Sequence, residues 1–384
     1  MVDGTFGDDV AFLKQHADPV VLRRGTGAVI VVPKYQGRVM TSSSNGDAGT
    51  GYGWINHELI ESGEVKKNFN PLGGEERFWL GPEGGQFSLY FKKGDPFEFD
   101  KWQVPAAIDT EPYKVVSKSA SSITLAHTAT FTNYSGNQLK VGIKRSVKLL
   151  GPTALKSRLG IDVPSGVKSV AYDATSTVKN VGSKAWSKTT GAPSIWVLSM
   201  FKPGDETNVV VPYNTKAKGT VLVDNYFGKV PAERLKIGKS AAYFRCDGTM
   251  RTKIGLPPAR VKPYRDGAAI GSFDAAHNVL TILHFSYEPG VKDYVNSLWQ
   301  MQKEPFRGDV ANSYNDGPPA PGVKPMGPFY ELESSSPALF LKPGVSRSHS
   351  HMIAHFEGSR EKLDGIARKV LGVGLDEVSK AFSG

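Results

Sequence analysis

Residues 122–150 read SITLAHTATFTNYSGNQLKVGIKRSVKLL. Apolar side chains fall on alternate positions to either side of the central TNYSGNQ: Ile123, Leu125 and Phe131 before it, then Leu139, Val141, Ile143, Val147 and Leu149. A period of two belongs to a strand with one buried face. The Asn, Ser and Gly between the two runs are turn residues. The spacing therefore predicts strands over Ser122–Thr132 and Leu139–Leu150, joined as a hairpin. The same rhythm spreads outward from it. Pro112–Ser119, Val170–Val178, Ser194–Phe201, Thr220–Val223, Ala241–Phe244, Ala268–Phe273, Val279–Ser286, Phe329–Ser334 and His349–Phe356 read as strands between Asn, Gly, Asp and Pro. Upstream, the apolar run Gly27–Val32 and the segment Phe87–Phe91 read the same way. Helical patterns are confined to the ends, at Phe6–Gln15 behind Asp8 and Asp9, Arg360–Leu371 and Leu375–Phe382. No interior segment changes composition enough to mark a linker. The expectation is one all-β domain over residues 1–384, two packed antiparallel sheets with short helices at both ends.

Composition agrees with many short strands. The chain of 384 residues carries 42 glycines and 25 prolines spread along its length, and 39% of it is hydrophobic, which excludes disorder, collagen and coiled coil. The single Cys246 cannot form an internal disulfide, and no Cys/His spacing of zinc type accompanies it, so the core has to supply the stability. No apolar run approaches the ~18 residues of a membrane span. The net charge of +10 comes from scattered basic residues whose longest runs are pairs such as Lys66-Lys67, which argues against a nucleic-acid surface and is compatible with a polyanionic substrate. No leader-like segment precedes Phe6. The expected compartment is the cytoplasm, or the periplasm or exterior if a leader has been removed.

Two segments hold most of the candidate chemistry. Residues 70–86, NPLGGEERFWLGPEGGQ, are too glycine-rich for a packed strand and too aromatic for a linker. Glu76, Arg77 and Glu83 offer fixed forks for sugar hydroxyls or a uronate, and Trp79 offers a flat apolar face. No phosphate-loop motif is present, and no nucleotide, redox cofactor or metal is expected. In residues 327–337, GPFYELESSSP, a strand would place Glu331 and Glu333 on one face, where mutual repulsion could raise one proton affinity into the range of acid–base work. Between them lies a long stretch, Pro289–Gly327, rich in Gly, Pro, Asn and Asp and holding Trp299, Tyr314 and Asn315; a loop of that length reads as functional. His349, His351 and His355 share a strand face and read as a solvent-facing or core-rim strip, since no third metal ligand is spaced to join them. His127 alternates with apolar residues and fits a sheet-side position.

Five stretches together carry a family resemblance: Gln36-Gly-Arg-Val-Met40, Leu72-Gly-Gly-Glu-Glu-Arg-Phe-Trp-Leu-Gly-Pro-Glu83, Asn312-Ser-Tyr-Asn-Asp-Gly317, Tyr330-Glu-Leu-Glu-Ser334 and Leu341-Lys-Pro-Gly344. On these the chain, from about Phe6 to Gly358, resembles an uncharacterised bacterial family of the galactose-mutarotase-like superfamily. That resemblance implies a β-supersandwich with a carbohydrate in the concave face of a sheet. Aldose mutarotases use a glutamate base in a Leu-Glu-Thr-Gln stretch, and Leu332-Glu333-Ser-Ser335 stands in that place, so Glu333 is the implied base. Their two acid histidines have no counterpart: Pro71-Leu-Gly-Gly74 replaces a Leu-His-Gly-Gly, and Ile195-Trp196-Val197 replaces a histidine followed by Tyr-Phe. His127, Glu76, Glu83 or a tyrosine would have to act as acid. Glu333, Glu331 and His127 are thus the candidate catalytic residues. Glu76, Arg77, Trp79, Glu83, Asp109, Trp196, Tyr314, Asn315 and Asp316 are the candidate contacts to a mono- or oligosaccharide, neutral or anionic. The expected activity is proton transfer at or beside a sugar carbonyl or anomeric carbon, of epimerase, lyase or hydrolase type. The alternative is a non-catalytic sugar-binding protein that has lost the acid.

Overall fold

The structure, a computed structural model, describes residues 4–320 and 322–382. Its ladders are all antiparallel and build three sheets. The largest runs, in spatial order, through Leu235–Ile237, Ala241–Arg245, Thr207–Pro212, Gly267–Asp274, Val279–Ser286, Ser346–Glu357, Lys168–Asn180, Gln138–Leu149, Ser122–Thr132 and Lys114–Lys118, with Pro263–Tyr264 added beside Gly267–Asp274. The hairpin that opened the sequence reading is at one end of it, with Thr132 opposite Gln138. The last strand in the chain, Ser346–Glu357, sits in the middle, paired with Val279–Ser286 on one side and Lys168–Asn180 on the other. The second sheet has five strands in the order Thr252–Leu256, Ala311–Asn315, Tyr330–Ser335, Ser194–Phe201, Arg77–Gly81. Again a late segment, Tyr330–Ser335, is central. A third sheet of Val20–Arg24, Gly27–Val32 and Arg38–Ser43 lies near the N-terminal helix Phe6–His16.

Pleating sorts side chains between the two faces of the large sheet. Leu283, Phe285 and Ile353 belong to the core shared with the five-stranded sheet, whereas Ile282, Met352 and Phe356 pack under the C-terminal helices Arg360–Val370 and Leu375–Ser379 through Leu363, Ile366 and Val370. The N-terminal helix begins with a full capping box between Thr5 and Asp8 and buries Phe6, Val10 and Leu13 against Ile30 and Met40. No helix among the described residues is long and apolar enough to cross a membrane.

The core between the two main sheets contains a polar layer. Ser334 Oγ meets His349 Nε2 and His351 Nδ1, each at 2.8 Å, and His351 Nε2 meets Ser199 Oγ at 2.8 Å. His355 lies between Thr281 Oγ1 and Glu75 Oε1, both at 2.9 Å, and Ser42 donates to the same carboxylate at 2.6 Å. The histidine strip is therefore fully buried, not solvent-facing or at the rim, because the five-stranded sheet covers that face and supplies hydroxyl partners to His349 and His351. Burial pushes His349 down to about 3 and holds His351 well below its ordinary value, with the neighbouring His349 and the Arg145 guanidinium acting in the same direction. Among the described residues no group of three or more His, Cys, Asp or Glu is arranged to hold a metal.

Two strand expectations fail. Phe87–Phe91 is a turn whose backbone bonds back to Gly85 and Pro82, its Leu89, Tyr90 and Phe91 acting as separate buried anchors; Thr220–Val223 makes only one bridge, from Val223 to Gly255. Conversely, Arg77–Gly81 is a strand despite its glycine-rich flanks, and all five residues are buried.

Candidate functional site

The five-stranded sheet turns its other face to a cavity of about 630 Å³. Alternation decides which side chains reach it: Arg77 and Trp79 from one edge strand, Trp196, Leu198 and Met200 from its neighbour, Glu331 and Ser335 from the central strand, then Asn312 and Tyr314, and Lys253 from the far edge. Their sequence neighbours Phe78, Val197 and Leu332 point into the core between the sheets. Loops raise the walls with Phe69, Glu83 and Trp102, with Tyr226 and Phe227, and with Leu298, Trp299, Asp309 and Asp316.

The walls are held by aromatic packing. Trp79 meets Trp196 edge-on at 5.5 Å and Phe69 at 5.3 Å, while Trp102 stacks between Tyr90 at 6.2 Å and Trp299 at 5.9 Å. Four of the chain's six tryptophans, at positions 79, 102, 196 and 299, line the cavity. Such side chains present large, rigid apolar faces at small entropic cost.

Charged groups stand on the aromatic floor in pairs. The Arg77 guanidinium lies 4.1 Å from the ring centre of Trp79, and its Nη2 donates to Glu331 Oε1 at 3.1 Å. Its Nε and Nη1 find no acceptor among the described residues. Burial pushes Glu331 up to about 8; Arg77 pulls against that and the neighbouring Glu333 adds to it. Burial likewise draws Arg77 down, with Glu331 opposing. Glu333 is fully buried, accepts from Trp196 Nε1 at 2.8 Å and from Lys253 Nζ at 2.9 Å, and does not line the cavity. Burial works to lower Lys253, but Glu333, Glu83 and Glu331 outweigh it and its proton is held more tightly than usual. Asp309 accepts from the Tyr226 hydroxyl and, at 3.4 Å, from Asn312 Nδ2. Burial pushes Asp309 up to about 6 against both bonds. Burial also raises Glu83, against Lys253 and a bond from Trp299. Two carboxyls with proton affinities near neutrality thus face one aromatic cavity, an arrangement able to give or take a proton.

The family model for DUF6786, described as a family of unknown function, matches residues 4–382. The chain belongs to DUF6786. No curated protein matches it. Among solved structures, this DUF6786 chain is similar to a candidate aldose 1-epimerase from Klebsiella pneumoniae subsp. pneumoniae, with 9% identity and a TM-score of 0.52 over 92% of this chain and 86% of that one. It is also similar to a candidate aldose 1-epimerase from Escherichia coli K12, with 11% identity and a TM-score of 0.50 over 89% and 99%. At these identities the likeness concerns the fold, which is galactose-mutarotase-like.

In the DUF6786 chain, Arg77, Trp79, Glu83, Trp196, Tyr314, Asp316 and Glu331 come together on the cavity although 254 residues separate Arg77 from Glu331. The remaining candidates lie elsewhere. Glu76, one residue from Arg77 and hence on the opposite face, forms a buried ion pair with Arg145 in the core. Asp109 accepts from Asn70 Nδ2 at 2.6 Å behind the wall. Asn315 accepts from the Gly248 N–H and donates to the Met250 carbonyl, both at 2.8 Å, clamping the turn before the strand Thr252–Leu256. His127 is on the large sheet, 2.8 Å from Glu111 and stacked on Tyr113. Sequence reasoning missed Tyr226, Arg251, Lys253 and Asp309. Asp309 stands inside the long stretch already marked as functional; Lys253 sits in a five-residue strand broken by Gly255, too short for its period to show.

Proposed function

We propose that the chain binds a sugar in the aromatic cavity and moves a proton at or beside the anomeric carbon, with Glu331 as the transferring group. The observation that carries this is the Glu331 carboxyl on the cavity floor, bonded to Arg77 and lifted by burial to about 8, so that both protonation states are accessible near neutrality. Trp79, Trp196 and Trp299 suit the apolar faces of a pyranose ring, and the two unpaired donors of Arg77 suit its oxygens. Glu333 is assigned to positioning: it anchors Trp196 and Lys253 from beneath. The likeness to candidate aldose 1-epimerases supports sugar chemistry on this fold. A second reading, a saccharide-binding protein without turnover, is favoured by the loss of both acid histidines of the mutarotases, in whose places Pro71-Leu-Gly-Gly74 and Ile195-Trp196-Val197 stand. Proton NMR of a panel of aldoses and oligosaccharides separates the two through anomer exchange, an unsaturated product or bond cleavage. Turnover in Glu331→Gln is expected to fall by the ~10²–10⁴ typical of general acid–base catalysis while affinity survives. Undiminished turnover would remove Glu331 from the role, and binding without any turnover would establish the second reading.

A further inference from the structure

We infer that the saccharide carries an anionic substituent, a carboxylate or a sulfate ester, and that Arg251 is the side chain that reads it. This rests on the reading of the cavity as a sugar site. Arg251 lines the cavity immediately before the strand Thr252–Leu256, with its guanidinium 3.9 Å from the ring centre of Phe227. Among the described residues the buried Nε has no hydrogen-bond partner and no carboxylate forms a direct ion pair with the guanidinium. A half-buried guanidinium with no carboxylate in direct contact is incompletely balanced in a folded protein; Glu83 and Asp316 reach it only through space.

The acids that line the cavity have nearer partners: Glu331 is bonded to Arg77, Asp309 to the Tyr226 hydroxyl, and Asp316 accepts from the Tyr314 hydroxyl and the Gly327 N–H, both at 2.9 Å, while Glu83 faces Lys253 and Trp299 before Arg251. Lys324, also on the lining and exposed, is a second cation without a partner among the described residues. Arg251 is held in place from behind. Asn315 clamps the turn that ends at Met250, and Gly317 packs so closely that a Cβ there would stand 2.5 Å from the Arg251 backbone nitrogen. Because Phe227 occupies the flat face of the guanidinium, its in-plane N–H fork is the part left to recognise a planar anion or a sulfate. The net charge of +10 favours the approach of such ligands.

The probes are trigalacturonate, a sulfated galactan tetrasaccharide, maltotriose, cellotriose and galactose, titrated against the full chain with tryptophan fluorescence as the readout. One of the acidic oligosaccharides is expected to bind at least ~10-fold tighter than the neutral trisaccharides, with affinity falling as salt rises; which of the two it is names the anion. Arg251→Gln should remove that margin, and Arg251→Lys, which keeps the charge without the fork, should recover part of it. Equal affinity for acidic and neutral probes overturns the inference and leaves the sugar site standing. So does an acidic-probe Kd unchanged in an Arg251→Gln protein that still binds neutral sugar. Should no saccharide on the panel bind at all, the sugar-site reading falls and this inference with it.

Discussion

Glu331 holds its proton in the folded chain up to about 8, against an ordinary 4.5, because burial outweighs Arg77. The folded state therefore binds more protons than the unfolded one between those values. The group's contribution to stability is fully present below about 4.5 and is lost as pH rises toward 8. Glu331→Gln cannot ionise, so it should gain stability relative to the parent as pH is raised from 5 to 8, by at most ~1.4 kcal/mol per pH unit. Urea unfolding of both proteins across that range measures it; curves that run parallel would show that the carboxyl ionises normally. Trp196→Phe keeps an aromatic ring, though a smaller one, and deletes the donor to Glu333, and should cost ~1–3 kcal/mol in the same assay. Much of this placement was legible in the chain. Residue parity put Glu331 and Glu333 on one face, and the 70–86 segment offered Arg77 and Trp79. What parity cannot tell is which of two same-face carboxylates another strand covers. Glu333 lies under Lys253 and Trp196, so the group at the cavity surface is Glu331 and not the residue the resemblance favoured.

Among the elements, the alternating Ser122–Thr132 and the mainly apolar, almost wholly buried Ser194–Phe201 and Val279–Ser286 were read nearly to the residue. Strands of the cavity sheet were harder. Thr252–Leu256 and Ala311–Asn315 are five residues each and place polar side chains on a face that is covered yet not apolar, so no hydrophobic period survives. Glycines mark where these strands and their loops approach most closely. A Cβ on Gly308 would stand 1.8 Å from the Val295 backbone oxygen, and one on Gly255 2.0 Å from Asp309 Oδ2. The side chain of Asp309 can swing away, whereas the backbone of Val295 cannot. Gly308→Ala should therefore lower stability more than Gly255→Ala, for which the ~1–3 kcal/mol of overpacking is expected together with loss of the Asp309–Tyr226 contact. Denaturant midpoints give the ranking, and the reverse order would mean that the wall at Val295 yields.

At the scale of the molecule, the histidine layer between the sheets should make the fold sensitive to acid. His349, held down to about 3 against an ordinary 6.5, stays neutral when folded and charges when unfolded; its contribution is present above 6.5 and is lost as pH falls toward 3. His349→Gln should flatten the decline in melting temperature between pH 7 and 5, which a thermal series on both proteins would test. An unchanged slope would place the acid sensitivity in other groups.

The central places of Tyr330–Ser335 and Ser346–Glu357 also set a timetable for synthesis. As the ribosome extends the chain, the strands at 114–180 and at 207–286 can form ladders of their own, but each keeps one unpaired margin until the segment that zips both together emerges after residue 345. The cavity sheet likewise waits for residue 335 before Ser194–Phe201 and Ala311–Asn315 acquire their common neighbour. Nine-tenths of the polypeptide must therefore wait, with apolar margins open to other chains, for closure by its last strands. Nascent chains stalled before residue 330 should be captured by chaperones or aggregate, and the high sequence separation of these pairings should make refolding slow.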